Sequence, residues 1–297
     1  MKYFLSFLLS FSIFTCFSQN LDQANNPYRS PYVSYSGYKS IKKDGKTKID
    51  SIGFFIKDKD TLINILGFDN KLGKQVLYEP KDSVFLKRYK SIVYNNIYGK
   101  PKDIKKARMR YWKEEMKVYI DSTVPSKLGR EMKKMFKLLD NNIDSLKITT
   151  VSRKEKANCF IYFLNKPTDI DWDKRINNQS DGAYISWNGK QQIYNSTIKI
   201  NSQIIFNEKQ QLMLLKKHFI SSLGYFYLQP NEDCKSFFSN CVSDDKILNE
   251  DDLAILKYHY SYGICKGTDL ETFEENHKNA QKLLKENPNN KYFFTHL

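Results

Sequence analysis

The segment Asn207–Phe226, NEKQQLMLLKKHFISSLGYF, constrains this chain more than any other stretch. Asn207 is a good N-cap residue, and Gln210 three places later completes a capping-box-like pair. Leu212, Leu215, Phe219, Leu223 and Phe226 fall in one apolar stripe at helical spacing. Gly224 is expected to stop the helix. Lys217, His218 and Ser221 lie on the other side, with Leu214 and Tyr225 near them. The reading is a helix that buries one face and offers Lys217, His218 and Ser221 to water or to a cleft.

The segments before it alternate between two periods. MKVYID, LKITTV, NCFIYFL, GAYISWNG and STIKINS read as strands, with GAYISWNG at a sheet edge. PSKLGREMKKMFKLLDNNI reads as an amphipathic helix with Leu128, Met132, Met135, Phe136 and Leu139 on one face and Ser126 as its cap. The order strand, helix, four strands, helix predicts an α+β layout with one sheet over a helix. Upstream, SIGFFIKDKDTLINILGF, KQVLYEP and KSIVYNNIYG read as short strands, a small β-rich region over 20–105. YGKPKDIKKARMR is the expected connector to a domain over 106–297.

Residues 1–19 have the layout of a secretory signal: an early lysine, an apolar run too short to span a bilayer comfortably, then small and polar residues. Cys16 offers a lipidation alternative, although Phe14 and Thr15 fit a lipobox poorly. The expected location is secreted, or periplasmic and cell envelope, with membrane-surface attachment only if Cys16 is lipidated. In an oxidising compartment Cys159, Cys234, Cys241 and Cys265 suit two disulfides. Cys234 and Cys241 bracket a short loop that a bridge would close. Cys159 and Cys265 are left as a second bridge or as buried thiols.

Charge is uneven. Residues 20–230 carry 39 lysines and arginines against 21 acids, and residues 231–297 carry 8 against 12. A basic body outside the cell points to anionic partners. No basic arm or nucleic-acid motif accompanies it, so no specific nucleic-acid partner is expected.

A zinc-peptidase helix reads His-Glu-x-x-His: two histidines one turn apart hold the metal, and the glutamate activates its water. Setting Leu223-Gly224 against the Leu-Gly that follows such a motif puts Lys217 and Ser221 in the histidine places and His218 in the glutamate place. A lysine ammonium cannot ligate zinc, and a serine hydroxyl is a poor ligand. Starting one residue later places Ser222 and Phe219 where a ligand and the base belong.

Several pieces nevertheless resemble a secreted bacterial zincin-like family of unknown function, whose helix motif before Leu-Gly is degenerate. They are RYWKEEMKVYID, VPSKLGREMKKMFKLLDNNI, LKITTVSRKEKANCFIYFL, STIKINS, KKHFISSLGYF and LNEDDLAILKYHYSYGICKGTDLETFEENHKNA. The resemblance spans about 106–286. It implies a zincin-like α+β core, a mixed sheet over an HExxH-type helix with C-terminal helices, and secretion. It carries over no catalytic residue, no metal ligand and no cofactor. The expected function is that of an inactive peptidase-like protein holding a protein, peptide or anionic glycan in the former cleft. The alternative is a hydrolase of another mechanism, or residual metallopeptidase, in the same cleft. Tyr184 and Trp187 on the edge strand are the candidate binding aromatics, with Trp172, Tyr258, Tyr260 and Tyr262 as further groups. His259 is expected to serve a helix C-terminus, and His277 and His296 to be exposed. Asp251 and Asp252 are expected to charge the first turn of a helix capped by Asn249.

Overall fold

The computed structural model describes residues 17–20, 32–34, 48–49, 55–57, 60–66, 74–94, 107–176, 179–286 and 292–296. The chain divides into two compact units, Met1–Tyr78 with Asn279–Leu297, and Glu79–Lys278. Of the expected signal segment, only 17–19 lie among the described residues, and Cys16 lies outside them. Among the described residues no helix is long and apolar enough to cross a membrane.

The smaller unit holds strands β1 (Phe17–Asn20), β2 (Tyr32–Ser34), β3 (Lys48–Ile49), β4 (Phe55–Lys57), β5 (Asp60–Leu66), β6 (Lys74–Leu77) and, from the other end of the chain, β13 (Tyr292–His296). β13 pairs antiparallel with both β1 and β6, and β5 pairs antiparallel with β2, β3 and β4.

The larger unit begins with a correction. Lys90–Tyr94, expected in a strand, end helix α1 (Ser83–Tyr94). Asp82 Oδ1 accepts the Phe85 N–H at 2.8 Å, as an N-cap does, and Tyr89, Ile92 and Val93 are buried at helical spacing. The cap and the three-and-four spacing outweigh the β-branched pair Ile92-Val93.

There follow β7 (Tyr111–Trp112), β8 (Met116–Ile120), α2 (Ser126–Asn142), β9 (Ile148–Val151), β10 (Cys159–Leu164), β11 (Asp181–Trp187), β12 (Gln192–Asn201), α3 (Glu208–Ser222), α4 (Glu250–Tyr260) and the start of α5 (Leu270–Glu286). The sheet order is β11-β12-β10-β8-β9. β12, β10, β8 and β9 are parallel, and β11 is antiparallel at the edge. β7 adds a short parallel pairing to the start of β12. The α+β class and the edge position of β11 therefore hold.

Register sorts the two faces. Val118, Ile161, Phe163, Ile198 and Ile200 share one face and are buried. α2 and α3 cover that face, with the Phe136 and Phe219 rings 4.5 Å apart between them. All five residues expected on the apolar face of α2 are buried there. Ser126 does not cap this helix: Pro125 holds the cap position, with no side-chain hydrogen bond, and Ser126 is already helical. Fully burying a phenylalanine contributes about 1.5–3 kcal/mol, so this stripe anchors α2 more than its cap does.

The opposite face is covered near its centre by the segment after β10. Trp172 stacks on Tyr162 at 5.1 Å and on Tyr119 at 6.0 Å. Lys199 is fully buried there, its Nζ donating to Asp171 at 2.9 Å and to the Ile176 carbonyl. Tyr162 donates to the other Asp171 oxygen at 2.5 Å. Trp172 therefore packs the sheet as well as flanking a groove described below.

Cys234 and Cys241 form the expected disulfide, with their Cα atoms 5.1 Å apart. Lys246 donates to the carbonyls of Cys234, Ser236 and Ser239 inside that loop. Cys159 is a buried free thiol, so it does not bridge to Cys265. β10 alternates, and Cys159 falls on its buried, helix-covered face.

Candidate functional site

α3 lies against β11 and β12 and sets the candidate site. Asn207 caps it as expected, accepting the Gln210 N–H at 3.2 Å. Leu215, Phe219, Leu223 and Phe226 are buried and Leu212 is half-buried. Leu214, expected on the polar side, is also buried, because α2 and the sheet cover this helix on two sides. Lys216, Lys217, His218 and Ser221 keep partial exposure.

Gly224 does not act through backbone freedom. The left-handed residue here is Tyr225, with φ 55°, whose N–H bonds Ser221 O at 2.8 Å. A Cβ on Gly224 would run into the Phe226 ring and stand 3.0 Å from His259 Nε2. Glycine is needed at this place for space. Gly224→Ala is expected to lower stability by about 1–3 kcal/mol, as overpacking does. Equal denaturation midpoints for the variant and the parent would refute that steric account.

His218 meets a carboxylate. Its Nε2 stands 2.6 Å from Asp181 Oδ2, with side-chain exposures of 16% and 24%. A carboxylate only accepts, so Nε2 carries the proton and donates. Ser180 Oγ donates to Asp181 Oδ1 at 3.0 Å. The His218 hydrogen bond, with the His218, Ser180 and Lys217 contributions behind it, holds Asp181 below the usual carboxylate range against the opposing effect of burial. Asp181 is the first residue of the edge strand, so this bond joins the helix face to the sheet edge. Sequence reading missed it: 37 residues separate the pair, and nothing local marks Asp181. Among the described residues, neither Lys217 Nζ nor Ser221 Oγ makes a hydrogen bond or ion pair within the fold.

The two edge-strand aromatics lie on opposite faces. Tyr184 faces away from α3, beneath the Arg175 guanidinium at 3.4 Å. Arg175 is itself held by both oxygens of Asp173, at 2.7 and 2.8 Å. Trp187 follows a register shift and turns toward the end of α3, with its ring 5.3 Å from Tyr225. Arg110, just before β7, places its guanidinium 4.1 Å from the Trp187 ring and 4.6 Å from the Tyr225 ring. Tyr258 and Tyr260 are buried core residues, and Tyr262 is exposed.

The remaining expected groups are structural. His259 is fully buried, with Nε2 2.8 Å from the Arg110 carbonyl and Nδ1 3.2 Å from Tyr89 Oη. It belongs to the core rather than to a solvated helix end. His277, expected exposed, is buried against Tyr258 Oη at 2.8 Å. The His296 side chain lies outside the described ones. Asn249 does cap α4, accepting the Asp252 N–H at 2.7 Å. Asp252 is buried, however, and takes Arg88, Ser236 Oγ and the Phe237 N–H. It ties α1, the disulfide loop and α4 together.

A groove of about 420 Å³ opens beyond the C-terminal ends of β8 and β10, between Asp121, Thr123, Lys154, Lys166, Asp169 and Trp172. His218 and Asp181 do not line it. Among the described residues, no three histidine, cysteine, aspartate or glutamate side chains are gathered as a metal site.

The site is thus a half-exposed helix face bonded to the strand that, among the described residues, ends the sheet. No family model matches the chain, and no curated protein resembles it significantly in sequence.

Proposed function

We propose that this is a secreted, peptidase-like binding protein that takes an extended peptide on the outer edge of β11, beside Lys217, His218 and Ser221. The observation that carries the reading is the open edge itself, joined to α3 through Asp181 and His218. Asn201 N donates to Ser180 O at 2.7 Å. In an antiparallel ladder the bonded pairs alternate, so Ser180, Gly182, Tyr184 and Ser186 face β12. Asp181, Ala183 and Ile185 then turn their backbone N–H and C=O groups outward. Those groups can accept one more strand, and main-chain bonding of this kind requires no catalysis. The parallel strands with an antiparallel edge strand, over a helix ending in Leu223-Gly224, support a zincin-like ancestry for the cleft. The residues in the metal-binding places support its use for binding.

Amide hydrogen exchange tests it. Mixing the protein with peptides from a digested, denatured protein is expected to slow the Ala183 and Ile185 amides by about tenfold or more. Gly182 and Tyr184, already bonded to β12, should change little. Unchanged exchange at Ala183 and Ile185 would refute the edge as a docking strand.

A second reading rests on the 2.6 Å His218–Asp181 bond. A carboxylate-oriented imidazole beside a free hydroxyl or a water is the arrangement of a general base. Nε2 is occupied by Asp181, so Nδ1 would take the proton. Turnover of peptide, ester or glycoside substrates that both His218→Ala and Asp181→Asn abolish would establish this reading over binding alone. Binding without turnover in the parent protein is the expected outcome.

A further inference from the structure

β8 and β10 lie side by side and parallel, but the chain leaves them toward opposite faces of the sheet. After β8 it turns through 121–125 into α2, on the helix-covered face. After β10 it folds over the other face, where Trp172 stacks on Tyr162 and Tyr119. Neighbouring parallel strands whose continuations part in this way leave a crevice at their C-terminal ends, the usual ligand position in an open α/β sheet. The groove of about 420 Å³ occupies that crevice, and its volume is in the range of small-ligand sites.

Its carboxylates are set in place by the backbone. Asp121 Oδ1 accepts the Thr123 N–H at 3.0 Å and the Thr123 hydroxyl at 2.7 Å. Asp121 also lies near the Tyr119 hydroxyl. Asp169 Oδ2 accepts the Asn165 and Lys166 N–H groups at 2.7 and 3.1 Å. Each carboxylate is anchored through one oxygen, which fixes where the other stands. Asn165 Nδ2 donates to the Thr123 carbonyl at 2.7 Å and ties the two loops together. Lys154 Nζ stands 3.9 Å from the Trp172 ring centre, and neither Lys154 nor Lys166 forms an ion pair among the described residues. Among those residues the Trp172 indole N–H has no hydrogen-bond partner, and it is open to solvent. Ile170 adds an apolar side chain that is 74% exposed.

The placement of charge selects the ligand class. The loops after β8 and β9 supply Asp121 and Lys154, and the segment after β10 supplies Asp169 and Lys166. Each side therefore carries one acceptor and one donor, and the four charges sum to zero. A polyanion or a polycation gains little from such a groove. Nor are the charges separated into a positive and a negative end, as an extended zwitterion requires. A sugar fits both features, because each hydroxyl donates and accepts, and its C–H face can lie against Ile170. We propose that this groove binds a neutral saccharide, whose hydroxyls bridge the carboxylates and ammonium groups of the two sides. The site is separate from His218 and the β11 edge, and does not rest on peptide binding there.

The test follows the Trp172 indole N–H resonance while neutral sugars are added: glucose, mannose, galactose, N-acetylglucosamine, cellobiose and chitobiose. At least one is expected to shift it with a Kd of about 1 mM or tighter. The Trp112 indole N–H, bonded in the core to the Ser222 carbonyl at 2.9 Å, is the internal reference and should stay unchanged. Lys154→Ala combined with Lys166→Ala is expected to weaken binding about tenfold or more, since it removes both ammonium donors from exposed places and leaves the anchored carboxylates. Lys156→Ala removes an exposed neighbour that does not line the groove, and should bind as the parent does.

No shift of Trp172 with any of the sugars overturns the proposal. So does a shift that survives the double substitution unchanged, or an equal loss in Lys156→Ala. A shift at Trp187 instead of Trp172 would place the sugar beside α3 and overturn it as well. Tighter binding of glycine, glutamate or inorganic phosphate than of every sugar also overturns it, and assigns the groove to a charged ligand.

Discussion

Lowering the pH from 7 to 4 is expected to destabilise the larger unit by about 6 kcal/mol through two buried histidines, close to the whole stability of many domains. Burial pushes His259 down to about 3, and the Lys266 charge adds to the shift against the bond to the Arg110 carbonyl. Burial pushes His277 down to about 4, with the Lys90 charge acting the same way. Both rings are neutral in the folded protein at neutral pH. The geometry agrees for His259: a carbonyl accepts from Nε2, so Nδ1 is left to accept from Tyr89.

In the unfolded chain both histidines titrate near the ordinary value of about 6.5. The stability they contribute is full above that pH. It is lost as the pH falls from 6.5 toward 4, because the unfolded chain takes up protons that the folded one refuses. Each histidine accounts for about 3 kcal/mol by pH 4. Asp252 opposes the trend, since burial raises it and its protonation favours the fold as the pH drops. Carboxylates such as Asp181 and Asp173, held low by His218 and Arg175, lose their contribution only in more acid solution.

The onset therefore distinguishes the histidines from ordinary acid unfolding. Urea midpoints between pH 7 and 5 should already fall, with a slope approaching two protons per molecule. His259→Gln should halve that slope. A midpoint that stays flat down to pH 5 would contradict the buried, neutral assignment of both rings.

Lys199→Ala is expected to cost about 3–5 kcal/mol, the range for removing one partner of a buried ion pair. The substitution leaves Asp171 with only the Tyr162 hydroxyl and the Ile176 carbonyl with only the Gln179 N–H. It also opens a cavity under the segment that carries Trp172 and leads into Asp181. Lys199→Met fills the volume without the charge and should cost less. Combining it with Asp171→Leu should recover most of the loss, since an apolar pair replaces the ionic one. Denaturation midpoints of the three variants at pH 7 decide this. A loss under about 1 kcal/mol in Lys199→Ala would mean that the pair contributes little there.

Lys199 also shows why part of this molecule was not legible in its sequence. STIKINS alternates as a strand should, and a lysine at an alternate place reads as a solvent-facing residue. It is buried because a segment some 25 residues earlier folds back over that face. Asp252 reads as a charge in a helix's first turn for the same reason, and is buried by contacts from α1 and the disulfide loop. The helix over 83–94 was legible from Asp82 and the spacing of Tyr89, Ile92 and Val93, and was obscured by two β-branched residues.

Local periodicity, caps and short-range bonding were determined by the sequence alone. The stripe of α2, the Asn207 and Asn249 caps, the edge strand before α3 and the Cys234–Cys241 loop all depend on residues within about one element of each other. The sequence also showed that α3 carries no His-Glu-x-x-His. Only the tertiary structure decided which side chains those elements bring together. The bond from His218 to Asp181 and the opposite faces taken by Tyr184 and Trp187 depend on how α3 lies along β11. That packing arises from the buried faces of both elements, while the polar residues it assembles leave no periodic trace in the chain.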